Sequence, residues 1–159
     1  LNQNSISNVI LRQDDYFVYP PKTNNFMRRE DKNWRGMKEV KLDLLDAHLK
    51  AFKNGEHFIE KPLIEYGSNT SQNTNFNFFG ANLIIVEGTY TSTLSNVDIG
   101  VFIDRNFHQT LEHRQNRNRD SSELDDFTKQ VLQKEHSIIS KHRALADIII
   151  NSDYSVEFQ

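Results

Sequence analysis

The most informative segment of the chain is Leu83-Ile84-Ile85-Val86-Glu87-Gly88. Its four consecutive apolar residues, three of them β-branched, are typical of a strand that is buried on both faces. Ligands of open α/β sheets bind outside the carboxyl ends of the strands, so Glu87 lies where a metal ion, a phosphate or a hydroxyl group would be bound. An acid that merely ends a strand in solvent fits the segment equally well.

The same pattern, an apolar run followed by acids, occurs near the beginning of the chain. Val9-Ile10-Leu11 predicts a short strand, and Asp14 and Asp15 follow it closely. The carboxyl ends of parallel strands meet at one edge of a sheet, and we therefore expect Asp14 and Glu87 at the same rim. A turn or a helix cap is the alternative role for the acid pair, because acids form local hydrogen bonds there.

Composition excludes several classes of protein. The chain has 159 residues, 36% of them hydrophobic, and a net charge of −3, which predicts one ordinary globular domain over residues 1–159 and gives no indication of nucleic-acid binding. It has no cysteine, which excludes disulfides and thiolate metal sites and suits a cytoplasmic location. No apolar run reaches the roughly 20 residues of a membrane span, and no signal peptide is visible.

Between the two strands the sequence predicts one clear helix. It ends at Asn54-Gly55, and its buried face comprises Leu42, Leu45, Leu49 and Phe52. The neighbouring segments are less regular. We expect an irregular charged connection at 22–34, a short strand broken by Pro62 at 59–66, and a polar loop at 67–77.

Strands and helices alternate after Gly88. The predicted elements are a strand at 98–103, a helix at 107–119, a second helix from Ser122, a strand at 146–150 and an edge strand at 154–158. Asp125 completes a weak capping box for the second helix, whose buried face comprises Phe127, Val131, Leu132, Ile138 and Ile139. This order predicts an α/β fold, with a mainly parallel sheet and helices on both faces.

Two clusters of arginine are candidate anion sites, because guanidinium groups make fork-shaped contacts with phosphate oxygens. The first, at the end of the predicted helix 107–119, comprises Arg114, Arg117 and Arg119. The second, in and just after the charged connection, comprises Arg28, Arg29 and Arg35. The alternative for both is a solvated surface with nearby acids, where an exposed pair contributes only about 0–1 kcal/mol.

Five short motifs occur in a defined order along the chain. They are Gln13-Asp14-Asp15-Tyr16-Phe17, Glu87-Gly88, Phe102-Ile103-Asp104, the cluster from Arg114 to Asp120, and Ala146-Asp147-Ile148-Ile149-Ile150. Their order and spacing over nearly the whole chain resemble the uridine kinase and phosphoribulokinase group of P-loop kinases, and bacterial uridine kinase-like proteins in particular. The resemblance implies a P-loop kinase-like fold.

The resemblance also implies a function, which is ATP-dependent transfer of a phosphoryl group to a hydroxyl of a small molecule, with ATP and Mg²⁺ as cofactors. Asp14 matches the acid that accepts the proton of the attacking hydroxyl, and Glu87 matches the acid near Mg²⁺, which it would contact through water. Lid arginines that close over the phosphates correspond to Arg114, Arg117 and Arg119. The acceptor would contact three further side chains, Tyr16, Arg35 and Tyr66.

The chain departs from the family pattern in three ways. The phosphate-binding loop G-x-x-x-x-G-K-[ST] has no match in these residues, and we expect it before Leu1, in a strand-loop-helix unit. A polypeptide limited to these residues is therefore expected to bind ATP weakly and to transfer no phosphate. Uridine kinases have an acid for the ribose hydroxyls where this chain has Trp34-Arg35, and their pyrimidine-binding Tyr and His correspond to Ile64 and Asn69.

The acceptor therefore stays open at the level of the sequence. Arg35 has only hydrogen-bond donors and a permanent charge, which favours an anionic acceptor over neutral uridine. A vitamin riboside or pantothenate is another acceptor compatible with the same chemistry. The competing class is a non-catalytic protein that keeps the kinase fold as a binding or interaction module. A homo-oligomer is compatible with the sequence, whereas a membrane or nucleic-acid partner is not expected.

Overall fold

The computed structural model describes residues 6–105 and 125–159. The chain falls into two compact units, Leu1–Val97 and Asp98–Gln159. The helix predicted at 107–119, its arginines Arg114, Arg117 and Arg119, and the helix start predicted at Ser122 lie outside the described residues. None of the helices in the described ranges is both long enough and apolar enough to cross a membrane.

The first unit contains four strands and two α-helices among its described residues. In chain order they are β1 (Asn8–Arg12), α1 (Pro21–Glu30), α2 (Leu42–Lys53), β2 (Phe58–Glu65), β3 (Thr70–Asn77) and β4 (Leu83–Glu87). A short 3-10 helix, Gln13–Tyr16, follows β1 directly. The predicted helix ending at Asn54-Gly55 is confirmed as α2, and its inward side chains Leu45 and Leu49 are buried.

Strands β1 and β4 pair in parallel, in a register that runs from Asn8 opposite Leu83 to Arg12 opposite Glu87. Both strands therefore end at the same edge, which confirms the expected shared rim of Asp14 and Glu87. Burial is weaker than predicted, because the four apolar residues of β4 are half-buried. The strands of a parallel sheet are buried on both faces where helices cover both, and β4 does not reach that degree of burial in the described part of the chain.

The segment after α2 forms an antiparallel hairpin, and two predictions for it were wrong. Strand β2 runs through Pro62 without a break, because each strand of a two-stranded hairpin has one edge without a ladder, where proline is tolerated. Residues 70–77, predicted as part of a polar loop, form β3. Main-chain pairing with β2, from Phe58 opposite Asn77 to Glu65 opposite Thr70, holds this exposed polar strand in place.

The prediction of an irregular connection at 22–34 was also wrong, because most of this segment belongs to helix α1. Pro21 stands at the first helical position, where its fixed φ suits the helix and its missing N–H is not needed. The preceding residue, Pro20, gives no side-chain cap. Asn69 of the β2–β3 turn supplies one instead, since its Oδ1 accepts a hydrogen bond of 2.8 Å from the main-chain N–H of Lys22.

Among its described residues, the second unit has a three-stranded sheet and one α-helix. Its elements are β5 (Val101–Ile103), α3 (Asp126–Ile139), a 3-10 helix (Ser140–Leu145), β6 (Ile148–Ile150) and β7 (Val156–Phe158). Strand β6 pairs in parallel with β5 and antiparallel with β7, which confirms the predicted edge strand. Buried Phe102, Ala146 and Ile149 form its core, with Ile139 packed against them. Asp125 was predicted three residues inside this helix; it is instead the N-cap of α3, and its side chain accepts a hydrogen bond from the N–H of Thr128.

The remote cap on α1 gives a stability prediction. Asn69 has a positive φ of 56°, so Asn69→Gly keeps the turn conformation but removes the cap. We expect it to lower the free energy of unfolding by about 1 kcal/mol, the usual effect of losing an N-cap. Asn69→Asp is the control: it keeps the acceptor oxygen for the N–H of Lys22 and, like Asn69→Gly, loses the longer bond of 3.3 Å from Nδ2 to Thr23 Oγ1. Urea unfolding followed by the fluorescence of Trp34, the one tryptophan of the chain, measures both; equal stability of Asn69→Gly and wild type would contradict the cap.

Candidate functional site

The candidate site is the rim where β1 and β4 end together. Asp14 lies on the first turn after β1, and Glu87 is the last residue of β4; both are exposed. The Arg12 Nε and a carboxylate oxygen of Glu87 are 3.9 Å apart on neighbouring strands. More than half of each of these side chains is exposed, so the pair contributes little stability and leaves the carboxylate accessible to a ligand.

Gln13 ties the two strand ends together. Its side chain is fully buried, and its Oε1 accepts a hydrogen bond of 2.7 Å from the main-chain N–H of Tyr90, beyond β4. A Cβ atom on Gly88 would lie 2.2 Å from the Cβ of Gln13, which makes glycine necessary at this position. The sequence pattern alone gave Gln13 no structural role at the rim. Its position directly between a strand and the candidate base was the available signal.

The two residues after Asp14 are also tied down. Lys61 of β2 donates a hydrogen bond of 2.5 Å to Asp15 Oδ2, and the Tyr16 hydroxyl is 2.8 Å from His48 Nδ1 on α2. Tyr16 is fully buried, so its side chain presents no surface to a substrate and its role is packing. Burial, with the nearby charge of Asp15 as a smaller cause, raises the pKa of Tyr16 and keeps the hydroxyl neutral. The sequence pattern gave no indication that Lys61 pairs with Asp15, although Lys61 lies on the same inward face of β2 as Ile59.

The segment that contains Arg35 is built around a buried acid, Glu39. This carboxylate is fully buried and accepts hydrogen bonds from Asn24 Nδ2 at 2.6 Å, Arg28 Nε at 2.6 Å and Gly36 N at 2.7 Å. Arg28 therefore pairs with Glu39, a partner that the sequence pattern did not indicate. Half-buried Arg35 donates from Nε to the main-chain oxygen of Arg28 at 2.9 Å, which fixes the start of its guanidinium group. No local sequence pattern pointed to Glu39.

The hairpin carries the positions that match the pyrimidine contacts of uridine kinases. Ile64 is 4% exposed and belongs to the core, and Asn69 caps α1 through Oδ1. Both side chains therefore have structural roles. Tyr66 lies in the turn between β2 and β3 and is half exposed, which leaves part of its ring accessible.

The second unit has a pocket of its own, of about 450 Å³, at the carboxyl ends of β5 and β6. Nine residues line it: Phe102, Asp104, Arg105, His136, Ile139, Ser140, Arg143, Asn151 and Ser152. Arg143 is held between two acids, with nitrogen–oxygen distances of 2.9 Å to Asp104 and 3.0 Å to Glu157. The lining is mostly polar, and the position at parallel strand ends is typical of ligand sites in α/β sheets.

The oxygen chemistry of the rim fits Mg²⁺. Magnesium in nucleotide enzymes is usually held by one or two carboxylates, with water and phosphate oxygens completing its shell. Glu87 can supply such a carboxylate, directly or through water. The described residues contain no group of three or more acidic, histidine or cysteine side chains that could hold a metal by themselves.

No protein-family model matches the chain. Among curated proteins, it is 29% identical over 161 residues to the bifunctional alpha-galactosidase/sucrose kinase of Mediterraneibacter gnavus, and this match covers 92% of the chain but only 17% of that protein. The structure is similar to phosphoribulokinase from Rhodobacter spheroides, with a TM-score of 0.69, 11% identity, and coverage of 94% of this chain and 62% of that one. It is also similar to a protein described as a possible uridine kinase, from Bacillus stearothermophilus, with a TM-score of 0.57, 15% identity, and coverage of 93% and 74%.

These similarities confirm the fold inferred from the motifs. The chain has a mixed α/β fold, with parallel strand pairs and helices, of the uridine kinase and phosphoribulokinase type. Sequence identities this low to the solved structures show the fold alone. The chain spans about a sixth of the curated relative and just under two thirds of the phosphoribulokinase.

The buried position of His48 predicts a loss of stability in acid. Burial, and then the charge of Lys61, lower the pKa of His48 below its ordinary value of 6.5, and the charge of Glu56 opposes this only in part. The unfolded chain therefore binds the proton more readily than the folded chain. His48 contributes its full stability above pH 6.5 and loses it as the pH falls through the lowered pKa, by at most about 1.4 kcal/mol per pH unit.

The measurement is urea unfolding between pH 7.5 and 5, followed by Trp34 fluorescence, for wild type and His48→Gln. At each pH, the difference in unfolding free energy between the two proteins cancels the contributions of the other titratable groups. One of these groups is His142, whose pKa is lowered by burial. We expect a shallower dependence of stability on pH in the variant. The same slope in both proteins would show that His48 does not titrate differently on folding.

Proposed function

We propose that this chain is part of a kinase that transfers a phosphoryl group from ATP to a hydroxyl of a small molecule. One observation carries the proposal: Asp14 and Glu87 lie at the paired ends of two parallel strands, exposed, on a fold of the uridine kinase and phosphoribulokinase type. Phosphoryl transfer needs an oriented hydroxyl and positive charge across the phosphate oxygens. A base and a metal-binding acid at one rim are suited to meet these needs.

Asp14 is the proposed general base. Its exposed carboxylate would accept a hydrogen bond from the acceptor hydroxyl, orient that oxygen towards the phosphate and take its proton. Glu87 would bind Mg²⁺ through water, and the ion, when bound, neutralises charge on the phosphate oxygens. Arg114, Arg117 and Arg119 are proposed to close over the phosphates.

A sugar hydroxyl is the acceptor that we propose first. The residues that match the pyrimidine contacts of uridine kinases are Ile64, which is buried, and Asn69, which caps a helix, so this chain is poorly equipped to bind a nucleoside base. The curated relative that covers most of the chain is named for sucrose kinase activity. Both observations support a sugar over uridine. Tyr66, half exposed in the hairpin turn, is proposed as an acceptor contact.

Arg35 supports a second class of acceptor, one with an anionic group. Arg35 is half-buried, and its Nε is fixed by the main-chain oxygen of Arg28. An arginine that is already held in place loses less side-chain entropy when it binds a phosphate or a carboxylate. A sugar phosphate offers an anionic group to Arg35 and needs no contacts for a nucleoside base.

The assignment of the base is tested by substituting Asp14 in the full-length protein. Asp14→Asn should lower kcat by roughly 10²–10⁴-fold, the usual contribution of general-base catalysis, while the Kd for Mg-ATP stays the same. Asp43→Asn, at an exposed position on α2, is the control and should keep wild-type kcat. A kcat for Asp14→Asn within threefold of wild type would exclude Asp14 as the base.

The acceptor class is tested with Mg-ATP and four acceptors: sucrose, fructose, ribulose 5-phosphate and uridine. We expect kcat/KM to be higher for a sugar or sugar phosphate than for uridine. Arg35→Ala should reduce kcat/KM for the phosphorylated acceptor at least tenfold and leave the neutral sugars within twofold. Efficient phosphorylation of uridine that is insensitive to Arg35→Ala would restore a plain uridine kinase assignment. ATP binding without transfer to any acceptor would favour a non-catalytic binding module.

A further inference from the structure

Asp14 is the exposed side chain of the turn Gln13–Tyr16. The other three side chains of this turn are anchored to other parts of the chain. Three buried or partly buried bonds hold the turn Gln13–Tyr16, each to a different element: Gln13 to Tyr90, Asp15 to Lys61, and Tyr16 to His48. The turn is also bonded through its main chain, because Tyr16 O accepts from the N–H of Lys41 at 2.9 Å. The candidate base therefore projects from a backbone that is fixed on both sides.

The bond from Lys61 differs from the other two because it is an ion pair away from water. Lys61 is 5% exposed, and the carboxylate side chain of Asp15 is 15% exposed. Lys61 Nζ also donates to the main-chain oxygen of Pro62 at 3.1 Å and lies about 6 Å from the rings of Tyr16 and Phe76. Two of the three N–H donors of this ammonium group therefore have acceptors inside the protein.

Stability alone does not account for such a pair. Moving two charges out of water is costly, and well-packed apolar residues of similar volume are often equally stable or more so. A charged pair, however, is directional, and it specifies one arrangement where apolar side chains would permit several. It also neutralises Asp15, which would otherwise be an uncompensated negative charge directly beside Asp14.

We propose that Lys61 is a positioning residue for the base, acting through Asp15 on the turn that carries Asp14. The proposal rests on the proposed function. The hairpin strand β2 would thus fix the direction of the Asp14 carboxylate without contacting the substrate. Small displacements of a catalytic group, of about 1 Å, can reduce turnover by roughly 10²-fold, which gives the pair a measurable effect on kcat.

The test removes both charges together. Either single substitution would leave a buried charge unpaired and could prevent folding, whereas Lys61→Met combined with Asp15→Leu leaves an apolar contact. We expect the double variant, made in the full-length protein, to have a Tm within a few degrees of wild type. With the best acceptor of the panel, kcat should fall 10- to 100-fold and the KM for both substrates should stay within twofold.

A second measurement does not depend on the acceptor. Amide hydrogen exchange of Lys41 and Val18, which bond to Tyr16 O and Glu39 O, reports how firmly the turn and the adjoining chain are held. Exchange at these amides should be at least tenfold faster in the double variant, with α2 unchanged. Asn73→Ala is the matched control, because it removes an exposed bond to Glu60 in the same hairpin and should change neither kcat nor exchange.

The outcomes separate the two proposals. Wild-type kcat in a folded double variant, unchanged exchange at Lys41 and Val18, or a double variant that cannot fold would each overturn the positioning role. A double variant that loses turnover through KM and not kcat would overturn it as well. Full activity of Asp14→Asn, by contrast, would overturn the base assignment of the proposed function, whatever the double variant does.

Discussion

The structure of the first unit depends on the register between β1 and β4. Slipping the pair by one residue would turn each apolar side chain to the opposite face and would separate Gln13 from Gly88. In the observed register the buried Gln13 side chain passes over Gly88, where a Cβ atom has no room, and bonds the chain beyond it. One contact of this kind sets the relative positions of the two strand ends, and therefore of the two exposed acids that follow from them.

Buried charges determine how the rest of this unit is arranged around the rim. Glu39 holds α1, through Arg28, against the segment that presents Arg35, and Lys61 holds the hairpin against the turn that presents Asp14. Both are fully or nearly fully buried and have several hydrogen bonds, which compensates for the loss of water. Ion pairs of this kind contribute less to overall stability than to the choice of a single arrangement. That property suits a site in which side chains must keep fixed directions.

The hairpin uses two of its side chains to stabilise the first unit. In this chain Ile64 packs in the core and Asn69 caps α1, so positions that match ligand contacts in uridine kinases stabilise the scaffold instead. The positions of the rim acids depend on the pairing of β1 and β4, whereas the acceptor contacts that we propose depend on the hairpin and on the segment around Arg35. Similarity of fold thus supports the type of chemistry, and individual side chains must identify the substrate.

Apolar periodicity and strand-end acids were sufficient to predict β1, β4, α2 and the shared rim, because these features depend on patterns within a few consecutive residues. The same reasoning failed for 22–34 and 70–77, which are helix and strand despite their polar composition. Both elements need hydrogen-bond partners from elsewhere in the chain. The cap of α1 comes from the hairpin turn, and the main-chain partners of β3 come from β2. The partners of Lys61 and Glu39 could not be predicted from local sequence either, because Lys61 and Asp15, for example, are 46 positions apart in the chain. Burial gives these two charges their specific partners, and that burial depends on the three-dimensional packing of segments that are distant in sequence.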